Sequence, residues 1–310
     1  MPEGNRAATV AAARAAIARG SKSFALASRL FAPETRERAW LLYAWCRRCD
    51  DLIDGQDHGH GMQVVADPLA RVAEVERLTE AALAGVATGD PAFDALRIVA
   101  AETALPRRFA RDLVAGFRLD AEDWRPRREE DLYRYCYHVA GAVGCMMAVV
   151  MGVPPDDRPT LDRACDLGIA FQLANIARDI AEDARVGRCY LPLDWLAELD
   201  IPPGGHLQPR YRERLVVLAR RLAARAEAHE ASARVGAARL PRRSRWAVLA
   251  AAGIYGDIAR EVARRGAAAF DTRVTTGSAA KLAWVARAWR DARRPPPDLP
   301  RDPALWTRPD

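Results

Sequence analysis

A chain of 310 residues, half of them apolar, can bury the core of one large domain, and the composition is that of an ordinary globular protein. The formal charge is +6, and of the 47 basic residues only Lys22 and Lys281 are lysines. Arginine presents a planar fork to oxyanions, which keeps phosphate-bearing partners in view, but solvated helix faces account for so modest a charge, and no nucleic-acid partner is read from it.

Six cysteines (Cys46, Cys49, Cys136, Cys145, Cys165, Cys189) accompany an N-terminus without a secretory pattern, so they are read as reduced thiols and the expected location is cytoplasmic. Cys46-Arg-Arg-Cys49 stands alone, whereas a zinc or redox site would need a second pair or a βαβ context. Apolar residues return at intervals of three and four, and alternating β-branched runs are hard to find. The expected fold class is all-α.

In chain order, the opening "AATVAAARAAIARG" reads as a first helix, although its Ala and Arg content is also that of a transit peptide. "GSKSF" then places Ser21, Lys22 and Ser23 together, donors able to hold phosphate oxygens. The stretch "YAWCRRCDDLID" reads as a largely apolar helix with Asp50 and Asp54 one turn apart on one face, preceded by Tyr43 and Arg47. Two like charges so placed need a counter-charge. Arg47 and Arg48 supply part of it, and a structural ion-pair cluster is the plainer alternative to a bound cation. Breaks are expected at Gly55–Gly61, Trp124–Arg128, Pro154–Pro159, Ile201–Pro209 and around Pro241, none resembling a linker.

The run "YCYHVAGAVGCMMAVVMGV", Tyr135 to Val153, has no Asp, Glu, Lys or Arg in 19 residues and meets the length rule for a membrane span. Gly141 and Gly144 inside it, the polar crowd at one end and the lack of a second span point instead to a central bundle helix, buried all round. Glycines there let a neighbour approach the backbone closely.

In "GIAFQLANIARDIAEDARVGRCYLP", Gln172, Asn175, Asp179 and Asp183 form one polar stripe on an otherwise apolar helix, which must face something wet or ionic inside the fold. Two facing helices that offer oxygen ligands at one-turn spacing suit Mg²⁺, which takes a few carboxylates and completes its shell with water and phosphate oxygens. Neither stripe carries His or thiolate ligands, against zinc. Both read as magnesium clamps for a diphosphate, with Arg178 beside Asp179 as a further donor. From Arg293 the tail is Pro-rich and expected to lie extended against the surface or loose.

Four stretches, "SKSFALASRLF", "LLYAWCRRCDDLID", "YCYHVAGAVGCMMA" and "GIAFQLANIARDIAEDARVGRCYLP", resemble in order and spacing the signatures of the squalene/phytoene synthase family of trans-isoprenyl diphosphate synthases. The likeness runs from about Gly20 to Lys281, and "ACDLGIAFQLANIARDI" with the tail "LWTRP" is similar to the bacterial phytoene synthases of that family.

The resemblance implies an isoprenoid synthase bundle around a central cavity, with an N-terminal helix over 1–19, the synthase domain over 20–290 and a tail over 291–310. It implies Mg²⁺, or Mn²⁺, held by Asp50 and Asp54 on one wall and by Asn175, Asp179 and Asp183 on the other. Substrate diphosphates or their metals would be contacted by Ser21, Lys22, Ser23, Tyr43, Arg47, Gln172 and Arg178, and from the late helices by Tyr255, Arg273 and Lys281. Tyr135 would stand near the reacting carbons with a role in proton removal. Several relatives carry His where this chain has Gly20, so a contact from that position is in doubt.

The implied reaction is the condensation of two geranylgeranyl diphosphates through prephytoene diphosphate to phytoene, by a prenyltransferase of carotenoid biosynthesis that needs no NADPH. Its rivals are a squalene or dehydrosqualene synthase acting on farnesyl diphosphate, a terpene cyclase, and a non-catalytic assembly protein of the same fold. Implied partners are the two prenyl diphosphates, a membrane surface met peripherally, and downstream carotenoid enzymes.

Overall fold

The computed structural model describes residues 3–20, 25, 27–54, 67–295 and 299–309, and among these no strand occurs. Among the described residues the α-helices include, in order, α1 Glu3–Gly20, α2 Pro33–Asp54, α3 Pro68–Leu83, α4 Pro91–Thr103, α5 Arg107–Ala121, α6 Glu129–Cys136, α7 Ala142–Val150, α8 Arg158–Arg185, α9 Leu193–Glu198, α10 Arg212–Gly236, α11 Arg242–Arg265 and α12 Ser278–Asp291.

The helix starts are written locally. Asp67, Asp90 and Asp157 each accept a backbone N–H of the first turn, and a proline follows within two residues, so two orphan donors are dealt with at once. The starts of α3, α4 and α8 are thereby fixed. The expected breaks at 124–128 and 241 fall between helices, those at 154–159 and 201–209 do so except that Arg158 and Pro159 open α8 and Pro209 opens a 3₁₀ turn, and the one at 55–61 lies outside the described residues.

α8 is the axis of the bundle. Its 28 residues span about 42 Å, and it packs along α10, α11 and α7. Contact with α7 is made by glycine: a Cβ at Gly144 would strike the Ala164 carbonyl and one at Gly168 the Ala140 carbonyl, so the two helices cross backbone against backbone.

No helix among the described residues, those of the run from Tyr135 to Val153 included, is long and apolar enough to cross a membrane. The run also differs from a uniform central helix. A π-helical turn, Tyr137–Gly141, interrupts it, and Val139, Ala140, Val143, Gly144 and Met147 are only partly buried because they face a cavity, whereas Cys145, Met146 and Val149 are in the core. π-turns rotate the following helix and are frequent at functional sites.

The C-terminal tail is fastened rather than loose. Arg301 donates to both oxygens of fully buried Asp166 (2.7 and 2.8 Å), which also accepts from His229 Nδ1 at 2.8 Å and Ser232 Oγ at 2.6 Å. Arg308, itself buried, pairs with Asp162 at 2.8 Å, and Trp306 donates to Glu130 while its ring stacks on Tyr133. Asp162 and Asp166 sit on α8 and Glu130 on α6, so the tail is tied to the bundle axis and to its neighbour. Desolvation works to raise the Asp166 carboxyl, but the hydrogen bonds from Arg301 and His229 outweigh it and hold it below the usual range.

Arg301→Ala leaves a buried carboxylate short of its charged partner and is expected to lower unfolding free energy by about 3–5 kcal/mol, read from urea denaturation; Arg77→Ala, at the exposed pair with Glu74, should leave the midpoint unchanged. Because the folded carboxyl of Asp166 is depressed, its contribution is complete above about pH 4 and is lost as pH falls through the lowered value. Acid unfolding of the Asp166→Asn protein should therefore be shallower below pH about 4 than that of the wild type.

Candidate active site

Two compartments meet inside the bundle. The polar one, about 480 Å³, is walled by Arg47 and Asp50 of α2, Asp120 of α5, Tyr135 of α6, the stripe Gln172, Asn175, Asp179 and Asp183 of α8, and Arg178, Arg188, Tyr190 and Arg273. The other, about 470 Å³, is lined mainly by apolar residues of α7, α8 and α11 and by the end of α10. Arg47, Val139, Gln172 and Asn175 belong to both walls. Along α8 the apolar cavity extends from Asn175 to Thr160, about 22 Å of helix.

Periodicity explains the division. Gln172, Asn175, Asp179 and Asp183 recur at helical spacing on the stripe that faces inward, and N-terminal to them the same face carries Phe171, Gly168, Leu167 and Ala164. One helix therefore supplies the polar end of the site and the wall of the apolar cavity.

The carboxylates are unequally compensated. Burial works to raise Asp179, but Arg178 Nε at 2.7 Å and the Arg273 fork at 3.0 and 3.1 Å outweigh it and hold the carboxyl at about 2. Asp183 has no such fork; burial, and then the charge on Asp179, push its carboxyl up to about 7. On the opposite wall Asp50 lies 3.4 Å from Arg47.

In a third group, Tyr135 is expected from the sequence, but its partners Asp120 and Tyr190 are not. Tyr135 donates its hydroxyl to Asp120 (3.0 Å to Oδ1) and Tyr190 donates to the same oxygen at 2.9 Å, with the two rings stacked at 4.7 Å and Trp124 stacked beyond. Burial pushes both phenols well above their usual range, so they stay neutral. Asp120 continues the buried stripe Leu113, Gly116, Phe117 of α5, and a carboxylate in line with an apolar stripe is the signal that could have found it. Arg188 and Tyr190 lie in the "RCYLP" segment just after α8.

The other expected residues are placed as follows. Tyr43 lies off both walls, and a Cβ at Gly20 would come within 2.5 Å of its hydroxyl, so the tyrosine occupies the room that a side chain at position 20 would take. Tyr255 is on the apolar wall, stacked on Phe171 at 4.3 Å, and is not among the residues lining the polar compartment; Lys281, on α12, is among the lining residues of neither. Ser21, Lys22 and Ser23 lie outside the described residues, as does the side chain of Asp54, the last residue of α2.

Among the described residues no three His, Cys, Asp or Glu side chains converge closely enough to hold a metal by themselves. The donor set nonetheless fits a hard cation: oxygen ligands on facing walls, no imidazole or thiolate among the described lining residues, and in Asp183 a half-buried carboxyl that the nearby Arg188 charge does not fully offset.

An acid-and-arginine compartment that opens onto a hydrocarbon-sized apolar cavity in a helical bundle defines an isoprenoid synthase. The squalene/phytoene synthase family model matches residues 17–279. A 15-cis-phytoene synthase of Paracoccus sp. (strain N81106 / MBIC 01143) is 46% identical over 297 residues, covering 95% of this chain and 96% of that protein. The chloroplastic phytoene synthase 2 of Solanum lycopersicum is 34% identical, covering 89% and 88%. A crystal structure of a dehydrosqualene synthase in complex with ligand superposes with a TM-score of 0.81 at 28% identity, covering 93% of this chain and 98% of that one. The chain belongs to the squalene/phytoene synthase family.

The unequal compensation has a measurable consequence in the metal-free protein. With its folded carboxyl raised, Asp183 imposes no penalty below pH about 4, a growing one up to about 7 and its full penalty above. In chelator at pH 8, Asp183→Asn should therefore stabilise the fold, on the order of 2 kcal/mol, an advantage that fades towards pH 4; thermal unfolding across that pH range measures it.

Proposed function

We propose that the chain is a phytoene synthase: it condenses two geranylgeranyl diphosphates head to head, through prephytoene diphosphate, to phytoene. One observation carries this reading. The compartment that collects Arg47, Arg178, Arg188, Arg273 and the acids shares its wall with a long apolar cavity, so a diphosphate and its hydrocarbon chain each meet matching surroundings across a single boundary.

The steps follow from these parts. Arginine forks bind the departing diphosphate and stabilise the charge that develops as the allylic C–O bond ionises. Mg²⁺, held by Asp50 and Asp54 from one wall and Asn175, Asp179 and Asp183 from the other, would supply further charge neutralisation. The apolar walls keep water from the carbocation.

The double bond of the second substrate captures that cation, and loss of a proton closes the cyclopropane of prephytoene diphosphate. A second ionisation, rearrangement to the central C–C bond and loss of another proton give the central double bond. The hydroxyl proton of Tyr135 is committed to Asp120, so the oxygen lone pair is free to accept the departing proton while its own passes to the carboxylate. The hydrocarbon product then leaves into lipid at a membrane that the protein meets peripherally, where downstream carotenoid enzymes consume it.

Purified protein given geranylgeranyl diphosphate and Mg²⁺ alone should form a C40 hydrocarbon, with the cyclopropyl diphosphate visible early and no change on adding NADPH. EDTA should abolish turnover, and Asp179→Asn should lower it by about 10²–10³ or more. Product mass spectrometry decides: a strong preference for farnesyl diphosphate, or a halt at the cyclopropyl diphosphate until NADPH is added, would support the dehydrosqualene or squalene reading instead. Full activity in EDTA would remove the mechanism.

A further inference from the structure

Helix α12 is amphipathic in an unusual sense. Its inner side packs Trp284 onto Gly253 of α11 and buries Ala288 and Ala292 against Ala237 and Leu249. Its outer side is where charges of both signs belong, yet Leu282, Ala286 and Trp289 line up there at helical spacing, with Leu282 68% and Trp289 40% exposed.

Arginines edge this stripe. Arg287, Arg290, Arg293 and Arg294 occupy its C-terminal half and the turn beyond, and the Arg293 guanidinium lies over the Trp289 ring. The one acid of the helix, Asp291, faces the other way, between Arg287 and Arg294.

We propose that the outer face of α12 is a docking surface for an anionic lipid bilayer. An apolar stripe with an exposed Trp, edged by Arg290 and Arg293 and flanked by the Arg287–Asp291–Arg294 cluster with its net positive charge, is the chemistry of a helix lying in a membrane interface, where the rings and aliphatic groups enter the acyl boundary and the guanidinium groups reach lipid phosphates. A second copy of the chain fits poorly, because a twofold contact would set the arginine rims against each other. Nucleic acid would leave the apolar stripe unused.

The location gives the contact a use. Ala237, Leu240 and Val248 form the floor end of the apolar cavity and pack against the inner side of α12, so the proposed membrane face is one helix away from the place where hydrocarbon is held. That link to product release rests on the function proposed above; the lipid contact itself does not.

The test is flotation of the full chain with vesicles of pure phosphatidylcholine or of equimolar phosphatidylcholine and phosphatidylglycerol. Binding is expected to the anionic vesicles. Each arginine near such a surface is worth about fivefold in affinity, so Arg290→Glu with Arg293→Glu should weaken binding by at least about 25-fold. Leu282→Ser with Trp289→Ser should abolish the part of binding that survives high salt. Both variants should keep wild-type turnover on detergent-dispersed geranylgeranyl diphosphate, which also shows that they fold.

Unchanged binding by either variant, or equal binding to neutral and anionic vesicles, overturns the proposal. So does conversion of a dimer to a monomer by the Leu282/Trp289 variant in sedimentation equilibrium, which would make the face a self-association surface. A wild type that binds anionic vesicles but turns nothing over defeats the proposed function and leaves the docking surface standing; an active wild type that binds no vesicle does the reverse.

Discussion

A carboxylate taken out of water stays ionised only if positive charge is brought to it, and Asp179 is where this bundle meets that demand. Arg178 comes from the same helix, but the second fork, Arg273, arrives from the segment after α11, 94 residues along the chain. The contact therefore joins the axis α8 to the late helices and holds α11 against the cavity that its small and apolar residues line. What the two arginines leave over is Asp183. Its partial burial beside Asp179, against which the charge of Arg188 works only in part, pushes its carboxyl up to about 7, and the same imbalance destabilises the metal-free fold, in full above that pH.

The apolar half of the site depends on a different constraint, the closeness of two backbones. Gly144 and Gly168 allow α7 and α8 to cross with carbonyls against Cα atoms, and the π-turn at Tyr137–Gly141 turns Val139 and Ala140 towards the cavity while Tyr135, one turn earlier, faces Asp120. A regular helix through the same residues would advance by 100° at each step and could not aim both segments at adjoining compartments without moving one of them. The interruption thus lies at the seam between the polar and apolar surroundings, and Val139 belongs to both.

Helical period made part of this site readable. Asp50, Gln172, Asn175, Asp179 and Asp183 stand out because each breaks an apolar stripe at a spacing that needs no tertiary knowledge. The groups that escaped are those defined by distant partners. Asp120 broke the stripe of α5 in the same way but becomes meaningful only with Tyr135 and Tyr190, 15 and 70 residues away. The π-turn was invisible because an uncharged run with glycines has the same pattern whether its hydrogen bonds close at four residues or five. Arg301 and Arg308 were hidden by abundance: in a chain with 47 basic residues, two arginines in a Pro-rich tail look solvated, yet they are the ones that enter the core.

Those tail arginines bear on the chemistry through the far end of α8. The apolar cavity stops at Thr160 and Arg163, and Arg163 is held there by the Ser232 carbonyl at 3.0 Å and by the Leu299 carbonyl of the tail. Asp166, less than one turn further on, anchors Arg301 of the same tail. A floor built from apolar side chains could yield by rotamer changes to a longer hydrocarbon, whereas this one is pinned by hydrogen bonds to carbonyls and a buried carboxylate whose loss would strand charge in the core. Polar contacts outside the cavity thus hold the residues that line it at the Thr160 end of α8, and the same helix carries the acids at the other end.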